Sequence, residues 1–260
     1  MSADAILFEQ KGDIALVTFN RPEVHNAFNQ EMEEGLSRAI DSIEGNPEIK
    51  ALILTGAGSK SFVSGSDITG LSKRTPLTGI EASVRRQGLL NRIEDLHVPS
   101  IAAVNGYAFG IGCEVALACT FRLASEKAKM GQLEINLGII PGAGGTQRLP
   151  RLIGKARAAE LILTGKVIGA EEAYQLGLLN RVVPDQELLE ACMELARTLS
   201  EKSPVAMKYG LRAINEGMKT DLQSGLKIEG LCLGACFASE DSKEGLNAFL
   251  EKRKPVFKGL

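Results

Sequence analysis

Glu114 and Glu134 are the side chains whose type and surroundings best suit proton transfer. Glu114 stands among Gly112, Cys113, Val115 and Ala116, and Glu134 between Leu133 and Ile135. A carboxylate with such neighbours either faces solvent from an amphipathic segment or is held inside for work. Other routes to chemistry are few. The two histidines, His25 and His97, and the five cysteines, Cys113, Cys119, Cys192, Cys232 and Cys236, include no Cys-x-x-Cys pair. Neither a zinc site nor a disulfide framework is expected, and no other metal. Ser64 and Ser66 suggest a hydrolase nucleophile, but Val63-Ser64-Gly65-Ser66-Asp67 is offset from the Gly-x-Ser-x-Gly elbow. A paired-carboxylate glycosidase is another reading, yet the loops lack the aromatics on which sugars stack.

Glycine-rich loops span 56–70, 105–112 and 138–145. None is a nucleotide loop. Gly165-Lys166 runs into Val167 and Gly154-Lys155 into Ala156, with no upstream glycine at the phosphate-loop spacing. Gly142-Ala143-Gly144-Gly145-Thr146-Gln147 lacks the last glycine of the dinucleotide fingerprint. Neither ATP nor NAD is indicated, and any one of these loops alone reads as a turn.

The elements that must hold these residues follow from periodicity. Buried-type strands are expected at 14–19, 51–55, 101–104 and 121–125. Asn29 caps a helix carrying Met32, Leu36, Ala39, Ile40 and Ile43, and Gly45 closes it. A second helix covers 79–96, and a third starts near Gly110 and carries Glu114. Segments 56–70 and 131–145 are loop-rich. Helices then dominate: 147–163, 170–176, 185–202, 205–216, 222–237 and 240–252. Strands and helices alternate to about residue 185, so the expected class is α/β, with a core over 1–185 and a helical region over 186–260. No internal repeat is visible in the sequence.

Composition narrows the partners. The chain has 260 residues, 44% hydrophobic and 24% charged, with a formal net charge of −2. That balance opposes a broad basic face for nucleic acid or anionic lipid. Aromatics are only 5% with no Trp, so platforms for stacking bases are scarce. Lys252, Arg253, Lys254 and Lys258 form a small basic cluster that suits one phosphorylated ligand. No signal peptide and no membrane-spanning run are seen, and the cysteine pattern favours a reducing, cytoplasmic setting.

Five segments, in order, resemble the enoyl-CoA hydratase (crotonase) family. They are Asn20-Arg21-Pro22; Ser61 to Ile68 (SFVSGSDI); Ile101 to Glu114 (IAAVNGYAFGIGCE); Gly131 to Leu149 (GQLEINLGIIPGAGGTQRL); and Phe249 to Arg253 (FLEKR). The resemblance implies a spiral of ββα units with a helical C-terminal region used for trimer contacts. It also implies a homo-hexamer built as a dimer of trimers and an acyl-CoA thioester substrate. Coenzyme A then enters as part of the substrate, and no separate cofactor is expected.

Carried over by position, Glu114 and Glu134 match the two catalytic acids, with Glu134 protonated and Glu114 ionised. Ser66 and Ile111 match the backbone N–H donors to the thioester oxygen. Gly142 matches a position whose backbone helps hold the water and the acids. Val24, Ser64, Asp67, Ile68, Gly110 and Pro141 match other substrate-side positions. Phe249 and Lys252 match positions that touch the adenosine part of coenzyme A, often from a neighbouring subunit. The chain departs from the family where Ser66 and Ile111 replace Ala and Gly, and where Glu23 and Thr69 stand at frequent Lys positions. Keeping both acids favours hydratase over isomerase. Action on a specialised acyl-CoA and a non-catalytic or RNA-binding role are the alternatives.

Overall fold

The computed structural model describes residues 4–260. The chain opens with strands β1 (Ile6–Lys11) and β2 (Ile14–Phe19), which form an antiparallel hairpin. Helix α1 (Gln30–Glu44) follows, capped by Asn29, whose side chain accepts from the Met32 N–H. Next come β3 (Ala51–Gly56), β4 (Ser61–Val63), the short α2 (Ile68–Leu71) and α3 (Pro76–Glu94). Then β5 (Ser100–Val104) leads to β6 (Tyr107–Phe109) and α4 (Ile111–Ala118). Strands β7 (Phe121–Ser125) and β8 (Lys129–Gly131) precede a 3-10 turn (Glu134–Leu137), α5 (Gly145–Ile153) and α6 (Lys155–Thr164).

After these come β9 (Ile168–Gly169), α7 (Ala170–Gln175), β10 (Arg181–Val183) and α8 (Leu188–Ser200). The chain ends in α9 (Pro204–Gly217), α10 (Leu222–Phe237) and α11 (Glu240–Leu250).

The strands form two sheets. One has the order β1-β2-β3-β5-β7-β10 and is parallel from β2 onward; the other has the order β4-β6-β8-β9. Each pair β3-β4, β5-β6 and β7-β8 sends its first strand to the large sheet and its second to the small one, and a helix returns the chain. This is the expected α/β spiral of ββα units. The repeat lies in the backbone and left no trace in the sequence, because each turn packs against different neighbours.

Both faces of the large sheet are dry. Val17, Leu52, Leu54, Ala102 and Val104 point into the main core beneath α1, α3 and α4. Leu16, Ala51, Ile53, Ile101 and Leu123 point the other way, against Leu188, Cys192 and Ala196 of α8. Burying a large aliphatic side chain stabilises by about 1.5–3 kcal/mol, so strands buried on both sides read as unbroken apolar runs. Helix α8 begins just beyond the expected 185/186 boundary, yet it packs on the sheet and seals the core.

Several expectations shift. Helix 79–96 starts earlier, at Pro76, because Thr75 and Thr78 form a capping box, and it ends at Glu94. The single helix over 147–163 is two, broken at Gly154, whose φ of 82° cannot continue a helix. Helix 185–202 is shorter, since Asp185–Glu187 forms a 3-10 turn before α8. The loop-rich stretches 56–70 and 131–145 contain β4, α2 and the 3-10 turn, elements of three or four residues that are too short to show a period.

Candidate active site

Helix α4 starts where the two sheets approach each other. Gly110, its N-cap, has φ 51° and ψ −120°, a conformation that side chains disfavour. A β-carbon on Gly112 would lie 2.0 Å from the Val63 carbonyl oxygen, so only glycine lets α4 come this close to β4. That approach sets the first turn of α4 beside the segment carrying Ser66. The Ile111 N–H opens the helix and has no intrahelical acceptor. Among the described residues the Ser66 N–H has no acceptor either.

Ser66 is held by its other atoms. The backbone on either side pairs with Phe28: its N–H donates to Gly65 O at 2.8 Å, and its carbonyl accepts from Asp67 N at 2.9 Å. Ser66 Oγ accepts from Arg86 Nη1 at 2.9 Å. Arg86 itself donates to the buried Glu33 at 3.1 Å and lies over the Phe28 ring.

Glu114 is 2% exposed, in the first turn of α4. Its Oε1 accepts from Ala143 N at 2.7 Å and from Gly145 N at 2.8 Å. Burial raises its pKa above the ordinary carboxyl value, and the Gly145 and Ala143 donors, with Arg86 and Arg148 beyond, offset part of that rise. Two N–H donors on one oxygen favour the ionised form. Gly142, expected to help hold the water and the acids through its backbone, stands next to the Ala143 donor. Gly142 gives its carbonyl to Ser83 Oγ (2.5 Å) and Gln87 Nε2 (3.0 Å), and its own N–H has no acceptor among the described residues.

Glu134 starts the 3-10 turn after β8 and points back at α4. A β-carbon on Gly110 would lie 2.9 Å from Glu134 Oε1. Burial raises the Glu134 carboxyl to about 7, and the charge of Glu114 adds to the effect. Its Oε2 is buried without a partner. The Glu134 carboxyl therefore keeps its proton to higher pH than an ordinary carboxylate. The thiol of Cys113, fully buried and within reach of both carboxyl charges, is pushed upward by burial and stays protonated.

The other expected positions divide. Gly110, Ile111 and Pro141 are buried around the acids, and Ser64 and Asp67 are half-buried beside Ser66. Asp67 caps α2 by accepting from Thr69 N, and Arg21 also reaches it at 3.4 Å. Val24 and Ile68 are exposed, as are Glu23 and Thr69. Phe249, 82% exposed, and Lys252 stand at the end of α11, which packs against α10. Two members of the basic cluster are occupied: Arg253 by Glu244 and Glu251, and Lys254 by Glu201.

Sequence reading missed Gln132. It is 1% exposed and both side-chain amide atoms lack partners. The only signal was a lone amide at a buried strand end. Among the described residues no group of three His, Cys, Asp or Glu side chains could hold a metal ion.

The site thus brings together two carboxyl groups in unlike surroundings and N–H groups without acceptors, a set able to move protons while negative charge builds on an oxygen. A family model described as enoyl-CoA hydratase/isomerase matches residues 9–260. A short-chain-enoyl-CoA hydratase of Clostridium acetobutylicum is 43% identical over 254 residues, covering 98% of this chain and 97% of that protein. A crotonyl-CoA hydratase of Syntrophomonas wolfei is 42% identical over 257 residues, with 99% of each covered. The crystal structure of an enoyl-CoA hydratase from Bacillus anthracis superposes with a TM-score of 0.94 at 38% identity, covering 98% of this chain and 100% of that one. On motifs, fold and full-length similarity together, the chain belongs to the enoyl-CoA hydratase/isomerase family.

Proposed function

We propose that Glu114 and Glu134 work on one water molecule while the N–H groups of Ser66 and Ile111 hold the thioester oxygen. The chain is a hydro-lyase that adds water reversibly across the C2=C3 bond of a 2-enoyl-CoA thioester, giving the 3-hydroxyacyl-CoA. Water oxygen attacks C3 and gives its proton to ionised Glu114. The electron pair of the double bond moves toward the thioester, so charge gathers on its oxygen. Two fixed N–H donors stabilise that charge by about 3–4 kcal/mol each, and the N-terminus of α4 adds to the field. Glu134 then delivers its proton to C2. The free Gly142 N–H, next in the chain to the Ala143 donor, is suited to orient the water.

The observation that carries this reading is the asymmetry of the two acids: Glu114 has two N–H donors on one oxygen, and Glu134 has a buried oxygen with none. Water addition leaves the oxidation level unchanged, so no electron-carrying cofactor is required beyond the coenzyme A of the substrate. Ile111, bulkier than the glycine usual there, narrows the acyl side.

The substrate is an acyl-CoA, and the assembly is a homo-hexamer, a dimer of trimers. Exposed apolar side chains along α9 and α10, including Ile214, Leu226, Leu231 and Phe237, support self-association. Phe249 and Lys252 then reach the adenosine part of coenzyme A bound to a neighbouring subunit. All five cysteines are free, which suits the cytoplasm, and no helix among the described residues is long and apolar enough to cross a membrane. An absorbance assay of 2-enoyl-CoA esters of increasing chain length tests the reading. Short chains should lose the conjugated absorbance fastest, and no change with any chain length would refute it.

A further inference from the structure

Four polar residues of α3, Ser83, Gln87, Asn91 and Glu94, recur at helical spacing and form one stripe along the helix. The stripe faces the loop that supplies the donors to Glu114. Ser83 and Gln87 hold the Gly142 carbonyl at 2.5 and 3.0 Å. Asn91 and Glu94 hold Arg148 of α5, by its Nη2 at 2.6 Å and its Nε at 2.9 Å. Arg148 in turn donates from Nη1 to the Ala143 carbonyl at 3.1 Å. That carbonyl belongs to the peptide linking Ala143 to Gly144, which lies between the two N–H donors. Gly144 sits at φ 115°, and Arg148 Nη1 occupies the place a β-carbon there would need. Both ends of the loop are therefore fastened to one helix.

We propose that Arg148, anchored by Asn91 and Glu94 of α3, is a positioning residue that keeps the Ala143 and Gly145 N–H groups aimed at Glu114. The inference rests on Glu114 being the base. Its guanidinium touches neither carboxylate of the reacting pair. It acts through the loop, and secondarily through its charge, which favours ionised Glu114. The other groups facing Glu114 are Glu134, Arg86 of α3 and Cys113, with Arg122 of β7 behind Cys113.

The test is kcat and KM against pH for hydration of crotonyl-CoA. Glu114 must be ionised, so activity falls on the acid side as pH drops through its pKa. In Arg148→Gln the donors loosen and the positive charge is lost, so that limb moves to higher pH. kcat near neutral pH falls about tenfold or more while KM stays within about twofold. Arg148→Lys, which keeps the charge without the three-way grip, recovers part of the limb shift but little of kcat. Glu94→Gln still accepts from Arg148 but removes its countercharge, and moves the limb the other way. An unchanged limb in Arg148→Gln, with only a lower melting temperature, overturns the proposal. If Arg148→Gln fails to fold, Glu94→Gln decides. Glu114→Gln separates the two levels: full activity there sinks the base assignment itself, whereas its inactivity beside an unshifted Arg148→Gln sinks only the role of Arg148.

Discussion

Glu134 lies against the α-carbon of Gly110, so close that a β-carbon at Gly110 would stand 2.9 Å from its Oε1. Gly110 immediately precedes the free N–H of Ile111, so the proposed proton donor and one proposed oxyanion donor are neighbours across a single glycine. Replacing Gly110 by Ala would place a methyl group against the Glu134 carboxylate and strain a backbone at φ 51°. We expect kcat to drop by about a hundredfold, on the scale of losing one positioned catalytic group. Steady-state kinetics on crotonyl-CoA checks this.

Ser66→Ala should behave differently. Only its backbone N–H is assigned a role, and its Oγ merely accepts from Arg86. A loss of about fivefold or less is expected, from slight loosening of Arg86. A loss of a thousandfold would point instead to a serine nucleophile.

Ionisation of Glu134 gives a signed prediction. Its folded pKa of about 7 lies above the ordinary carboxyl value of 4.5. The folded protein therefore binds more protons than the unfolded chain between those values, and stability falls as pH rises through that window. Glu134→Gln escapes this cost. At pH 8 the variant should be more stable than the parent by about 1–2 kcal/mol, allowing for partial solvent screening, and at pH 4 the two should match. Urea unfolding at the two pH values measures the difference. In the same way, kcat/KM for hydration by the parent should decline above about pH 7, as Glu134 loses the proton it must deliver.

Gly112 makes a structural demand. Its missing β-carbon lets α4 approach the Val63 carbonyl, and an added methyl group would meet backbone at 2.0 Å. Gly112→Ala should destabilise the fold by about 3 kcal/mol, read as a lower denaturant midpoint.

Much of this was legible in the sequence. The strands β2, β3, β5 and β7 announced themselves because both sheet faces are buried, and α1 because Asn29 caps an amphipathic run. The two glutamates looked ambiguous until the surrounding segments brought the family resemblance. What stayed hidden was set by tertiary contact. Strands of two or three residues such as β4, β8 and β9 carry no period and exist only because neighbours pair with them. The grip of α3 on the Gly142 loop joins residues more than fifty positions apart through polar side chains that resemble an ordinary solvated face. The donors at Ala143 and Gly145 are backbone groups, which residue identity does not reveal.

The central claim is that both acids are needed for one water addition. The most direct measurement is the loss of conjugated-thioester absorbance of crotonyl-CoA with the parent, Glu114→Gln and Glu134→Gln, alongside the affinity of each for a non-reactive acyl-CoA. The account predicts that each substitution lowers kcat by about a thousandfold or more while acyl-CoA affinity stays within a few-fold. Full hydration rates in both variants would contradict it.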